Sequence, residues 1–355
     1  MPNDAAINSK PRNSNLELFR IITMLVIVAH HYVVNSDLMP VIWENYPSLK
    51  SLFLLIFGWG GKTGINCFVL ITGYFMCTSQ ITLRKGLKLF FEVEFYKILF
   101  FAIFVLSGYT ELTPKFAIKS LLPIVSIKDG FVSCYLVFFL FIPFLNILIK
   151  GMTKRQHQLL LGLCLIIFSI LPTILIKVNF SYVSWFMVIY LTGSYLRLYP
   201  PHWSSNHKKV SLGLTGCMLL SFTSVWGGAQ MFTLMNKYLS YFLVSDSNKP
   251  LAVLTAVFAF LFFKNLKFGY SKIINTIAAS AFGVLLIHAN SDTMRQWLWR
   301  DTLNNAGHYA GNIYLHAVVS VLAVYAICTL IDFVRIQLLE KPAFKLLDSK
   351  LNKNV

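Results

Sequence analysis

A guanidinium and two imidazoles stand inside an otherwise apolar stretch, as Arg20, His30 and His31 in FRIITMLVIVAHHYV. An imidazole can take up a proton near neutral pH, attack an electrophile or ligate a metal, and a guanidinium can hold an anion. Spacing separates these options. Eleven residues of helix return to within about 20° of the starting direction, with a rise of roughly 16 Å. Arg20 and His31 therefore share one face at two depths, and His30 points about 80° away from Arg20. A helical metal pair needs histidines four apart, so the doublet is not a chelating pair. His30 is expected to be structural. The plain alternative for Arg20 and His31 is that one reaches lipid headgroups and the other bonds a neighbouring helix.

Further polar residues lie in apolar runs, where they tend to mark a pathway or a site. Glu92, Glu94 and Lys97 fall in one such run, with Glu92 and Glu94 at a depth similar to Arg20. An uncompensated buried charge is costly, so Glu92 or Glu94 is expected to pair with Arg20. Glu17, three residues before Arg20, is the competing partner. Asp332, near the inner end of the last span, is expected to cap or to pair with Arg335. In SAFGVLLIHAN, His288 lies close in depth to His31, and two histidines converging at one depth suggest a site.

The elements that carry these residues are apolar helices. The chain has 355 residues, 56% hydrophobic and only 13% charged, with a mean hydropathy of +0.65. It reads as an all-α integral membrane protein, a bundle of about ten transmembrane helices with both termini cytoplasmic. The expected spans are roughly 15–35, 62–78, 87–107, 130–149, 158–176, 180–198, 209–227, 250–266, 273–290 and 311–334. The Leu52 to Phe57 run and the break GWGGKTG are expected to form an interfacial or re-entrant piece, and Met231 to Val244 is expected at the interface. Residues 1–14 and 336–355 are expected as cytoplasmic tails, the second one basic, around a membrane domain over 15–335.

The net charge of +17 sits in short clusters between apolar runs, which argues for topology and against nucleic acid. With the N-terminus inside, 19 of the 31 basic residues fall in inner regions and ten in outer ones. The six cysteines lie within spans and show no zinc or disulfide spacing, so no metal is expected.

The arginine, ten residues, histidine pattern of the first helix resembles the signature of the membrane-bound acyltransferase-3 family. Other stretches are similar in the same order: GINCFVLITGYFM, LRKGLKLF, FVSCYLVFFLFIPFLN, WFMVIYLTGSYLRL and FGVLLIHAN. Together they run from about residue 13 to 335. The chain departs from the pattern at Thr72 for serine, at Lys85 and Lys88 for arginines, at Gly130 for an aromatic and at Leu285 for tyrosine.

The resemblance implies transfer of an acyl group, usually acetyl and less commonly succinyl, from cytosolic acyl-CoA to a hydroxyl of a cell-envelope glycan or glycolipid. It places the chain in a bacterial cytoplasmic membrane, with membrane lipids, acyl-CoA and a glycan or lipid-linked sugar as partners. His31 would be general base or transient acyl carrier, and Arg20 and His288 would complete the catalytic group. Arg84, Lys85 and Lys88 would meet the CoA phosphates at the inner face. The rival reading is a transporter exporting a polysaccharide or lipid-linked sugar, with Glu92, Glu94 and Lys97 on its path.

Overall fold

The computed structural model describes residues 13–124, 130–176, 178, 181–235 and 239–351, and among them there is no strand. Most of the expected N-terminal tail, residues 1–12, lies outside the described residues. In chain order the helices are α1 (Ser14–Val34), α2 (Leu38–Glu44), α3 (Leu49–Phe57), α4 (Gly61–Met76), α5 (Leu83–Leu106) and α6 (Pro114–Leu121). Next come α7 (Phe131–Gly151), α8 (Lys154–Leu165), α9 (Leu171–Ile174), α10 (Tyr182–Leu198), α11 (His207–Met235) and α12 (Pro250–Lys264). The last are α13 (Lys272–Ala279), α14 (Ala281–His288), α15 (Asp292–Arg295), α16 (Ile313–Arg335) and α17 (Lys341–Leu351).

A helix lies at each of the ten positions where an apolar run stood. Among the described residues, six helices are long and apolar enough to cross a membrane, seven if a bent pair is one span. The rest fall short for visible reasons. α5 carries Arg84, Lys85, Lys88, Glu92, Glu94 and Lys97, while α10 and α12 have only 17 and 15 residues. Large apolar side chains point outward in rows, as with Leu140, Phe144 and Ile147 on α7, each about two-thirds exposed. Such rows suit lipid tails and leave the polar groups for the interior.

Buried apolar side chains form two clusters. One gathers α1, α3, α5, α14 and α16 around Met24, Tyr32, Tyr96, Trp299 and Tyr325. The other gathers α4, α7, α10 and α12 around Phe138, Trp185, Phe186 and Phe260. α4 and α10 cross closely because both carry glycine at the contact. A β-carbon at Gly73 would sit 2.6 Å from the Tyr190 carbonyl oxygen, and one at Gly193 would sit 2.6 Å from that of Leu70. Backbone cannot yield as a side chain can, so only glycine fits.

Two local features differ from expectation. Leu49–Met76 is one helical hairpin-free path interrupted at Gly58 to Gly60, and it packs onto α1 along the break. α11 continues to Met235, well past residue 227, so the first part of the expected interfacial segment is helix. Beyond Arg335 a π-helical stretch, Ile336–Glu340, leads directly into α17. The six cysteines are free, and all but Cys164 are buried.

Candidate active site

α1 starts where the Asn13 side chain accepts from the Asn15 N–H, and its 21 residues carry the chain about 31 Å. Arg20 lies in its second turn and His31 in its last. Both are partly exposed, although Phe19 and Tyr32 beside them are buried. His30 behaves differently from His31. Its Nδ1 lies 2.6 Å from the Gly58 carbonyl, and its ring lies where a β-carbon on Gly61 would be. His30 thus ties α1 to the α3–α4 break, which supplies the backbone oxygen it needs.

His31 meets the other histidine. Its Nδ1 is 2.9 Å from His288 Nε2, and His288 Nδ1 is 2.6 Å from the Val284 carbonyl oxygen one turn back on α14. The carbonyl can only accept, so Nδ1 of His288 carries its proton. With both rings neutral, His288 Nε2 is then an acceptor and His31 Nδ1–H donates to it. This chain of bonds leaves His31 Nε2 with a free lone pair. His288 is fully buried, packed edge-on to Trp299 at 6.3 Å between ring centroids. Only His31 of the pair lines a cavity.

That cavity, of about 540 Å³, lies between α1, α4, α5, α7, α10 and the α14–α15 corner. Its charged lining is Lys62, Lys97, Asp292 and Arg295, with Tyr182 beside Lys62. The corner matters here. The path through α13 and α14 bends by 93° into Asp292–Thr302, which turns Asp292 and Arg295 over the cavity just after His288. Gly130 and Leu285, two of the places where the sequence departs from the resemblance, also line it.

The charge pairings differ from expectation in one respect. Arg20 Nη1 is 2.6 Å from Glu17 Oε1, so the local partner holds it. Glu92 instead meets Arg335 Nη2 at 3.1 Å. Arg335 also binds Asp332 at 2.8 Å and Glu340 at 2.9 Å, and Glu340 binds Lys88 at 2.6 Å. Tyr96 donates to Asp332 at 2.8 Å. Arg335 was the better partner for Glu92 because it is nearly buried and faces three carboxylates at once. Glu94 is half-buried, and its Oε1 makes no hydrogen bond.

Arg84, Lys85 and Lys88 line a second cavity of about 430 Å³, between α5 and α17. Lys341 and Lys345 add to its positive charge. Each of the three expected anion binders has a partner within the chain: Arg84 has Asp348 at 2.9 Å, Lys88 has Glu340, and Lys85 donates to the Gln80 carbonyl at 2.8 Å. The two cavities lie at successive levels of α5, with the Glu92–Arg335 cluster between them. Among the described residues, no group of three or more His, Cys, Asp or Glu could hold a metal ion.

Lys62 and Arg295, which at the sequence level stand only among the ten outer basic residues, also line the cavity. Their nearness to GWGGKTG and to His288 was the available signal. The site consists of a polarised histidine pair opening on a cationic cavity, with a separate basic groove at the other end of α5. The family model for the acyltransferase-3 group, described as an acyltransferase domain, matches residues 13–333. No curated protein and no solved structure matches the chain.

Proposed function

Given that the chain belongs to the acyltransferase-3 family, and so is a multi-pass membrane acyltransferase, we propose that it moves an acetyl group from cytosolic acetyl-CoA to a hydroxyl of a cell-envelope glycan or glycolipid. The observation that carries this reading is the bond chain Val284–His288–His31, which leaves His31 Nε2 unprotonated at the cavity wall.

As the acceptor oxygen attacks the thioester carbonyl, its proton passes to His31 Nε2. The C–S bond then breaks, the new ester remains on the acceptor, and the CoA thiolate takes the proton from His31. In the two-step variant Nε2 itself attacks the carbonyl and expels the CoA thiolate. The acceptor oxygen then attacks the acyl-imidazole, the C–N bond breaks, and the acceptor's proton goes to the CoA thiolate. His288 does the same work in both variants: it holds the His31 ring and keeps the proton on Nδ1.

The donor side of the reading rests on charge. Arg84, Lys85 and Lys88 offer cations for the CoA phosphates, with Asp348 and Glu340 as the groups those phosphates would displace. Arg20 lies between that end and His31 on α1. Ten crossings with both termini in the cytoplasm of a bacterial plasma membrane fit the distribution of basic residues. The transporter reading is weakened at Glu92, which Arg335 holds within an ion cluster.

The test uses purified protein in lipid nanodiscs with labelled acetyl-CoA and a glycan acceptor. Label transfer that disappears in His31→Ala supports the reading. Glycan movement across a vesicle membrane without label transfer overturns it. A stoichiometric burst of free CoA in the absence of acceptor, lost in His31→Ala, selects the two-step variant.

A further inference from the structure

The cavity that His31 lines carries more positive charge than the proposed reaction needs. Lys62, Lys97 and Arg295 all reach it, and among the described residues Asp292 is the one carboxylate in its lining. Lys62 Nζ donates to the Tyr182 hydroxyl at 2.7 Å, and Tyr182 in turn donates to Asp246 at 2.8 Å. A phenol therefore stands between that ammonium and the Asp246 carboxylate. Arg295 binds the well-exposed Asp292 through Nη1 at 3.1 Å, while its Nε is buried and makes no hydrogen bond.

Topology accounts for neither Lys62 nor Arg295, and helix stability accounts only for Arg295, which sits in the last turn of α15 and pairs with Asp292 three residues back. Lys62 is the second residue of α4, at the end of a helix where a positive charge is disfavoured. On the proposed orientation Lys62 and Arg295 lie at the outer side, where the distribution of basic residues works against them. Nor does the reaction supply a counter-charge for both. A thioester and a sugar hydroxyl are both neutral in the ground state, and the single oxyanion of the tetrahedral intermediate needs only one cation beside His31, which leaves the other without a counter-charge. The basic groove that suits the CoA phosphates is at the other end of α5. A cation in a walled cavity is poorly screened and favours an anion that enters it.

We propose that the acceptor is anionic, and that Lys62 and Arg295 bind its carboxylate or phosphate and so present a neighbouring hydroxyl to His31 Nε2. The proposal rests on the reading of the chain as an envelope acyltransferase. It adds the acceptor's class: a sugar acid such as a uronate, or a sugar joined to phosphate as in a lipid-linked intermediate. The loss of one charged contact in such a setting weakens binding roughly 10- to 100-fold.

Three acceptors separate the sources: a neutral glycan, the matching uronate glycan, and the neutral sugar on a lipid diphosphate. Equilibrium binding to protein in nanodiscs is measured beside label transfer from acetyl-CoA. The expected result is that one anionic acceptor binds at least about tenfold tighter than the neutral one. The uronate arm identifies a carboxylate, and the diphosphate arm a phosphate. Lys62→Gln and Arg295→Gln should each shrink that ratio, with unchanged elution and melting showing that the variants fold.

Equal binding of all three acceptors overturns the inference. So does Arg295→Gln if it raises KM for acetyl-CoA while the acceptor ratio stays fixed, since the cavity would then hold donor phosphates. A preference for succinyl-CoA with the neutral glycan overturns it as well, by placing the anion on the acyl group. Anion-selective binding without any acyl transfer would leave this inference standing and sink the acyltransferase reaction instead.

Discussion

Replacing His288 with phenylalanine removes the acceptor that fixes the His31 tautomer and keeps most of the ring's volume. His288 is fully buried and packs against Trp299, so the apolar ring has a place to sit. What is lost is the 2.9 Å bond from His31 Nδ1–H to Nε2. Leaving a buried N–H without a partner costs about 1–3 kcal/mol. The proton then gains that much by moving to Nε2, where it blocks the lone pair that the reaction uses. Each 1.36 kcal/mol is a factor of ten, so transfer should fall roughly 5- to 150-fold. The loss should appear in kcat, because neither substrate is bound by His288. His288→Gln keeps an acceptor oxygen and should recover part of the rate. The assay is single-turnover transfer of labelled acetyl groups, with size-exclusion and thermal melting as controls. Wild-type kcat in a well-folded His288→Phe protein would refute the tautomer argument.

Three other perturbations follow from the same contacts. Arg335→Ala strands Asp332 and Glu92, both buried, and should cost about 3–5 kcal/mol, read as a lower melting temperature and reduced yield. Gly73→Val drives a β-carbon into the Tyr190 carbonyl and should destabilise the α4–α10 crossing by roughly 1–3 kcal/mol; unchanged melting would show that the helices do not meet as described. The swap Glu17→Arg with Arg20→Glu should restore part of the transfer lost in Arg20→Glu alone, whereas Glu92→Arg with Arg20→Glu should restore none.

The helices were legible because each is an apolar run with polar residues at its ends, and a lipid-facing helix has little other choice of structure. The His31–His288 contact was legible for a related reason. Two histidines at one depth of a bilayer have a limited set of partners. Pairing at a distance was not. Glu92 finds Arg335 across 243 residues of sequence, and periodicity says nothing about which two helices touch. Arg20 took the partner three residues away, which costs no closure of a long loop. The 93° corner after His288 was hidden as well, since it follows from packing rather than from a proline or glycine at Ala289–Ser291. That corner brings Arg295 over the cavity, and for this reason a cation that looked like a loop charge belongs to the site.

The central claim is that His31 Nε2 performs the transfer chemistry. Its direct test is acetyl transfer by purified His31→Ala, measured beside His30→Ala. His31→Ala should lose at least about 10²-fold in rate while eluting and melting as the wild type does. His30→Ala should melt lower, for want of its bond to Gly58, yet still transfer. Wild-type transfer by folded His31→Ala would contradict the account.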